Sequence, residues 1–327
     1  MQEYTSCNWL LHGLSFENDH IEMCCLCCHK GGGRLYIKEQ YNGKDLTWDD
    51  IFNLKQKFID ENKSGIIDPR CEGCFNLVHR GWDDEQKYIN YIHFNHWTHC
   101  NSDCIYCYTS WDKMNYQKRP HYNVLPMVKE LFKKKLFRPG GEITFAGGEP
   151  TILKEFDELV LFMIKNGADR ITVHSSGIKF SKAIEKGIKE QKLHVCLSAD
   201  AGTREMFKRV KRVDKFDKFW ENAKKYAKAQ KGDNKTFVET KYILIPEVNT
   251  SKKEIDLWLN LNVDAGIKSI VIDIENDFCR DLRGKNLPQP QFLVDIAAYI
   301  IQRAKELNLT LIDYNNFRYL ATEHNLM

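Results

Sequence analysis

The sequence predicts an α/β protein, a partial (β/α)6 barrel preceded by a small cysteine-rich metal-binding domain. Three observations predict it. From about residue 88 onward, short strand-like runs alternate with longer runs of helical period. Before that point the chain is irregular and carries most of the cysteines. Over 327 residues, 43% are hydrophobic and 28% charged, an ordinary globular composition with ample material for a core. The expected domains are therefore 1–87 and 88–327.

In the first domain the sequence gives a short strand at Leu35–Lys38 and a helix at Trp48–Glu61. So thin an apolar core needs a staple, and metal is the natural one where thiols stay reduced. The second domain offers strands at Tyr88–Asn95, Glu142–Phe145, Arg170–His174, Leu193–Ala199, Thr236–Ile245 and Ser269–Ile274. Helices fall near 124–137, 152–166, 179–191, 203–230, 251–262 and 289–307. After Thr151, the residues Ile152, Leu153, Phe156, Leu159, Val160 and Met163 form one helical stripe. Ser251 and Glu254 read as a capping box. Strands alternating with helices argue for parallel βα units, and six of them fit a TIM-like barrel. An open doubly wound sheet is the alternative.

Several classes are set aside. No apolar run is long enough to span a bilayer. Met1 to Leu14 lacks the pattern of a secretory signal, so a cytoplasmic protein is expected. A net charge of +3, from 48 basic and 45 acidic residues, argues against nucleic-acid partners. The twelve cysteines then read as metal ligands or catalytic groups rather than disulfides.

Cys100-Asn-Ser-Asp-Cys104-Ile-Tyr-Cys107 has the spacing C-x3-C-x2-C, directly after the first barrel strand. Three thiolates suit a [4Fe–4S] cluster and leave one iron open for chemistry. Zinc would take a fourth ligand, which His96 or His99 could supply. The next strand ends in Thr144-Phe-Ala-Gly147-Gly148-Glu149-Pro150-Thr151. Glycines there permit close backbone approach, and the proline pre-sets a helix start. Alone, this segment reads as a tight βα turn. Together, the two segments resemble the radical S-adenosylmethionine (SAM) superfamily, with Tyr106 as the aromatic before the last cysteine. The resemblance covers roughly residues 88–280.

The resemblance implies a [4Fe–4S] cluster on Cys100, Cys104 and Cys107, with SAM chelating the open iron. Gly147, Gly148 and Glu149 match the segment that receives the methionyl amino group. An electron from a flavodoxin- or ferredoxin-type donor would cleave SAM to methionine and a 5′-deoxyadenosyl radical, which removes a substrate hydrogen atom. Ser198-Ala-Asp200 resembles the segment that meets the SAM ribose and carboxylate. Ser176-Gly177 stands where many relatives carry Asn-Gly, and Lys241 where several place a basic side chain. The end of the fifth strand, near Ile245 and Asn249, matches a backbone cradle for adenine.

Strand alternation adds a second reading. Leu193, Val195 and Leu197 face the helices, so His194, Cys196, Ser198 and Asp200 face inward. Ile171 and Val173 face outward, leaving Thr172, His174 and Ser176 inside. Ile270, Ile272 and Ile274 place Asp273 and Glu275 inside, as substrate ligands or as partners for Lys241. His194 and Cys196 read as satisfied core positions. Lys208, Arg209, Lys211, Arg212, Lys215 and Lys218 read as a solvated helix face.

In the N-terminal domain, Cys71-Glu-Gly-Cys74 follows Cys7 and Cys24. The order of cysteine, short strand, cysteine, helix and C-x2-C resembles the SPASM/twitch auxiliary-cluster domains of the same superfamily. Those normally follow the barrel, and their glycine before the second cysteine is absent here. The resemblance implies a second [4Fe–4S] cluster on Cys7, Cys24, Cys71 and Cys74, with Cys25 as a substitute for Cys24. A zinc-stapled domain is the alternative. Cys27, Cys28 and His29 are open to a second metal, to exchange with Cys24 or to plain reduced thiols, the last being the expected reading, and Gly31–Gly33 reads as a turn. The expected protein is an enzyme that oxidatively modifies a peptide or small metabolite. An epimerase or isomerase, or a non-catalytic zinc protein, is the alternative.

Overall fold

A computed structural model describes residues 3–24, 35–82, 87–107, 122–232, 237–285, 287–313 and 315–326. Cys25, Cys27, Cys28, His29 and Gly31–Gly33 lie outside the described residues. The chain divides into two compact units, Met1–His99 with Gln117–Thr172, and Cys100–Tyr116 with Val173–Met327. Among the described residues no helix is long and apolar enough to cross a membrane.

The first unit runs β1 (Glu3–Ser6), α1 (Asn8–His12), β2 (Gly13–Glu17), β3 (Ile21–Glu22), β4 (Tyr36–Lys38), α2 (Trp48–Lys63), β5 (Val78–Gly81), β6 (Ile89–Asn95), α3 (Leu125–Lys133), β7 (Phe137–Phe145) and α4 (Phe156–Lys165). The boundary between units falls within β8 (Arg170–Ser175). β2 pairs in parallel with β6, and β6 with β7. β3 and β4 continue antiparallel beyond β2, while β1 and β5 form a separate ribbon. The alternation Leu14-Ser15-Phe16-Glu17 is too short to be read as a barrel strand from sequence. Its partner makes it one, so segment 1–87 is joined to the first barrel strand by a ladder.

Leu14, Phe16, Ile92, Phe94, Ile143 and Phe145 bury one face of these strands. Phe94 stacks on Phe16 at 5.3 Å and on Phe145 at 4.7 Å. The other face carries Ser15, Glu17, His93 and Asn95, with Ser15 opposite His93 and Glu17 opposite Asn95. β7 starts five residues before its expected start at Glu142, because a register shift opposite Ile89–Tyr91 absorbs the glycine pair Gly140–Gly141. α2 begins on a true capping box: Thr47 Oγ1 accepts from Asp50 N at 3.1 Å, and the Asp50 carboxylate accepts from Thr47 N at 2.9 Å. Its buried stripe is Trp48, Ile51, Phe52, Lys55, Ile59 and Asn62.

The second unit runs α5 (Lys182–Lys189), β9 (Leu193–Ser198), α6 (Arg204–Lys211), α7 (Phe216–Ala229), β10 (Val238–Leu244), α8 (Lys252–Ala265), β11 (Ser269–Ile274), α9 (Asn276–Gly284), α10 (Gln291–Glu306), β12 (Thr310–Asp313) and α11 (Asn315–Glu323). β9, β10, β11 and β12 pair in parallel in that order. The fold is α/β with a mostly parallel sheet, as the alternation predicts. The single helix expected over 203–230 is two, because Arg212 adopts a left-handed φ of 56° and stops α6. Ser251 caps α8 by accepting from Glu254 N, but Glu254 does not complete the box. Its carboxylate accepts instead from Gly202 N at 2.6 Å and Thr203 N at 2.8 Å.

Candidate active site

The three-cysteine loop is held by the end of α6. A helix C-terminus leaves its last carbonyls without intrahelical partners. Here Asp103 N donates to Lys211 O at 3.1 Å and Ile105 N to Val210 O at 3.0 Å. Arg212 Nη1 adds a bond to Asp103 Oδ2 at 3.0 Å. Inside this backbone clamp lies a charged triad. Asp200 is wholly buried with a φ of 56°, and Lys211 is 1% exposed. The Lys211 ammonium and the Tyr106 hydroxyl both donate to Asp200 Oδ2, the latter at 2.6 Å. Lys211 also donates to Tyr106 OH at 3.0 Å. Asp200 Oδ1 accepts from Ile243 N at 2.7 Å, and Asn249 Nδ2 donates to Asp200 O at 3.0 Å. Tyr106, between Cys104 and Cys107, is thus pinned to a buried ion pair.

Burial works against the Lys211 charge, but Asp200 and the Cys104 sulfur outweigh it and hold its pKa above the usual lysine range. Burial pushes the Cys104 thiol up, and the Lys211 cation opposes that. Ser176 Oγ donates to Asn101 Oδ1 at 2.8 Å, tying the start of the loop to the end of β8.

In the first unit, the Gly147–Glu149 turn packs directly on the residues that lead into Cys100. Gly148 N donates to Trp97 O at 2.6 Å, and Glu149 N to His99 O at 2.8 Å. A Cβ on Gly148 would meet His99 O at 2.2 Å. Gly147 has a φ of 87° and no room for a Cβ beside Asn95 and Trp97. Glu149 is buried, and its carboxylate accepts from Thr151 N at 3.0 Å and Thr151 Oγ1 at 2.6 Å, capping the turn 150–152.

The N-terminal cysteines also gather. Cys7 caps α1, its sulfur accepting from Leu10 N at 3.3 Å. Cys7 and Cys71 share a buried cluster with Leu10, Met23 and Leu35. Burial, then the neighbouring Cys7 and the charges of Asp68 and Cys74, push the Cys71 thiol up to about 12. Cys24 is buried, and Cys74 follows in a turn with its N–H on Cys71 O at 3.0 Å. Burial lowers the pKa of Lys55, on the buried stripe of α2, to about 7, and the sulfurs of Cys7 and Cys24 oppose that shift. As they stand, no three His, Cys, Asp or Glu side chains among the described residues are spaced to hold a metal ion. The donor chemistry of both groups nonetheless fits a metal–sulfur centre: thiols outside any disulfide, each set with a buried lysine in electrostatic reach.

A family model described as the Radical SAM superfamily matches residues 94–259. The chain belongs to the radical SAM superfamily. It is therefore an enzyme, and the superfamily implies a [4Fe–4S] cluster and SAM. Among curated relatives, the chain is 22% identical over 182 residues to GTP 3′,8-cyclase of Vibrio atlanticus (strain LGP32), covering 54% of this chain and 51% of that one. It is 29% identical over 147 residues to GTP 3′,8-cyclase of Clostridium botulinum (strain Okra / Type B1), covering 44% and 45%. The chain spans about half the length of the curated relatives it matches. Among solved structures, Streptococcus suis SuiB bound to S-adenosylmethionine aligns at a TM-score of 0.53 and 14% identity, over 87% of this chain and 59% of that one. SuiB bound to precursor peptide SuiA aligns at 0.52 and 13%, over 88% and 59%. These likenesses describe a shared radical SAM fold.

Several residues picked out from the sequence occupy positions of a different kind. Asp200, matched to a SAM-contacting segment, has both carboxylate oxygens engaged with Lys211, Tyr106 and Ile243. Asp273 is buried and accepts from Ile274 N at 2.8 Å and Asn316 N at 3.2 Å. Glu275 caps α9, accepting from Asp277 N at 3.0 Å and Phe278 N at 2.7 Å. The Lys241 charge opposes the burial that raises the Asp273 and Glu239 carboxyls and the Cys196 thiol. Ser198 is half-buried at the end of β9, opposite Lys241 in the ladder. Cys196 is buried as expected, whereas His194 is exposed and lies against Phe237 at 4.8 Å. Asn249 spends its amide on Ile243 O, Ile245 N and Asp200 O, shaping the backbone after β10.

Lys211 corrects the reading of 208–218 as a solvated face, while Arg212 stays exposed. One lies in the core and the other bonds the cysteine loop. The signal was indirect: an inward Asp200 needs a buried counter-charge. Lys55 had a plainer signal, since it falls on the apolar stripe of α2. Ser15, Glu17, His93 and Asn95 were missed with β2 itself. Ser15 Oγ donates to Glu17 Oε1 at 2.6 Å, and Asn95 Nδ2 to Glu17 Oε2 at 2.7 Å. Burial holds the Glu17 carboxyl above the usual range and the His93 imidazole down at about 4.

Proposed function

We propose that the protein is a cytoplasmic radical SAM enzyme that oxidatively modifies a peptide or small metabolite, fed by a flavodoxin- or ferredoxin-type donor. Cys100, Cys104 and Cys107 would hold the SAM-binding cluster, and Cys7, Cys24, Cys71 and Cys74 an auxiliary one. The observation that carries the reading is the clamp on the three-cysteine loop. Lys211, Asp200 and Tyr106 hold the segment that carries Cys104 and Cys107 through a buried, neutral network. When bound, the cluster and SAM supply reductive cleavage to a 5′-deoxyadenosyl radical that takes a substrate hydrogen atom.

This chain's own residues position and shield. Lys211 places a fixed cation beside Cys104, offsetting the negative charge that thiolates bring into a buried site. Gly148 and Glu149 bring backbone N–H groups against the lead-in to Cys100, which fixes where the loop starts. Ser176, Ser198 and Lys241 in the second unit, and separately Glu149 in the first, would take the SAM-contacting roles that the resemblance implies. Asp273 and Glu275 stand near the C-terminal end of β11, where barrel ligands bind. SuiB, which shares the fold, was solved with a precursor peptide, and the curated relatives act on GTP, so both substrate classes stay in the reading.

The test is anaerobic reconstitution with iron and sulfide, counting of iron and zinc, and addition of SAM with dithionite. About eight irons per chain with 5′-deoxyadenosine formed is the expected result. About four irons with zinc would keep the radical site and make the N-terminal set a staple. Zinc alone with no nucleoside product would overturn the reading.

A further inference from the structure

Lys55 is 1% exposed. Its ammonium donates to Leu10 O at 2.9 Å and to Gly13 O at 2.6 Å. Both are neutral acceptors. Among the described residues no carboxylate pairs with it; burial lowers its pKa to about 7, and the sulfurs of Cys7 and Cys24 act against that. A buried ammonium without a counter-charge is among the costliest arrangements a core can hold. Nothing in the fold of α2 requires it: Trp48, Ile51, Phe52 and Ile59 already bury the stripe, and a Met or Leu would continue it. The carbonyls it caps lie at the junction of α1 and β2, one residue on either side of Leu11 and His12. Leu10, whose carbonyl it caps, also donates its N–H to the Cys7 sulfur at 3.3 Å, so the lysine and that sulfur meet on one residue of backbone.

We propose that Lys55 is the built-in counter-ion of an anionic metal–thiolate centre formed by Cys7, Cys24, Cys71 and Cys74. The proposal rests on the N-terminal metal reading above and extends it. Four thiolates around a zinc ion or an oxidised [4Fe–4S] cluster carry a net charge of about −2. A fixed cation in contact with such a centre stabilises it, and does so more for the reduced state of a redox-active cluster. Lys55 is a positioning residue here, acting on the sulfurs and not on a substrate.

The test uses the full chain with Cys100→Ala, Cys104→Ala and Cys107→Ala, so that only the N-terminal thiolates bind metal. The chain is loaded anaerobically with iron and sulfide, or with zinc alone, and bound metal is followed during challenge with EDTA. Lys55→Gln keeps N–H donors for the two carbonyls but removes the charge, and Lys55→Arg keeps the charge. We expect Lys55→Gln to release metal about tenfold faster, and Lys55→Arg to hold it as the parent does. If iron is the metal, the ratio of reduced to oxidised cluster at a fixed potential should fall about tenfold in Lys55→Gln, read by electron paramagnetic resonance. Retention equal to the parent in Lys55→Gln would assign Lys55 to carbonyl capping and overturn the proposal. Should Lys55→Gln not fold, loss of metal from Lys55→Arg to the level of Lys55→Met would overturn it equally. A parent chain whose metal content is unchanged by Cys71→Ala with Cys74→Ala would remove the site itself, a separate failure of the underlying reading.

Discussion

Two lysines, Lys55 and Lys211, are each 1% exposed, and each stands beside a pair of cysteines. Their company differs. Lys211 has Asp200, with Tyr106 bonded to both, so its charge is balanced inside the protein. Lys55 has two carbonyl oxygens and two sulfurs. The three-cysteine loop is therefore complete as folded structure, whereas the N-terminal group is short of one negative partner. A buried lysine matched to a carboxylate belongs to the fold; one matched to sulfur alone belongs to whatever the sulfurs bind.

Breaking the matched pair should have the largest effect. Lys211→Met strands Asp200 in the core and should cost about 3–5 kcal/mol in the metal-free protein, read by urea denaturation. Adding Asp200→Asn should restore at least half of that loss, since the stranded charge is then gone. A loss under about 1 kcal/mol in the single variant would erase the contrast between the lysines.

His93 offers a calibration from a buried group that avoids charge altogether. Its folded pKa of about 4 lies below its unfolded value, so the unfolded chain takes up a proton that the native one refuses. Its contribution is constant above pH 6.5 and is lost as pH falls from there to about 4, by up to about 3 kcal/mol. Denaturation midpoints measured across pH 4–7 should show this slope, and His93→Gln should flatten it.

The unmatched lysine should behave oppositely. In metal-free protein, Lys55→Met removes a poorly compensated cation at the expense of two carbonyl bonds. Stability should change by no more than about 1 kcal/mol. A loss as large as that of Lys211→Met would show that Lys55 is structural and merge the two regions. Smallest of all should be Arg212→Ala. Its pairing with Asp103 is partly exposed, and a few tenths of a kcal/mol in stability is expected, with the loop's iron uptake unchanged.

The parallel βα alternation was legible because it is a matter of period, and every barrel strand inferred from residue 88 onward is present. The two short strands β2 and β12 were not. Five and four residues carry too little pattern, and only a neighbour in the ladder defines them. The Cys100–Cys107 loop and the Gly147-Gly148 turn were legible as motifs, and the structure adds that Gly148 also serves the approach of His99. What sequence could not give is the assignment of polar groups that bond one another. Asp273, Glu275 and Glu149 carry ligand-like chemistry, yet each caps backbone N–H groups. Glu254 sits at a capping-box spacing but turns to Gly202. Lys211 hides in a basic run because burial of one member leaves no trace in composition.

The clamp also bears on how the protein is made. Cys107 leaves the ribosome long before Lys211, and Asp200 is not fully held until Ile243 has followed. At about 5–20 residues per second, that interval is roughly 7–27 s. During it the three thiols have no anchored loop to occupy. If this loop holds the proposed cluster, nascent chains ending before residue 200 should take up no iron there, and metal insertion would be a late, post-translational event in the life of the polypeptide.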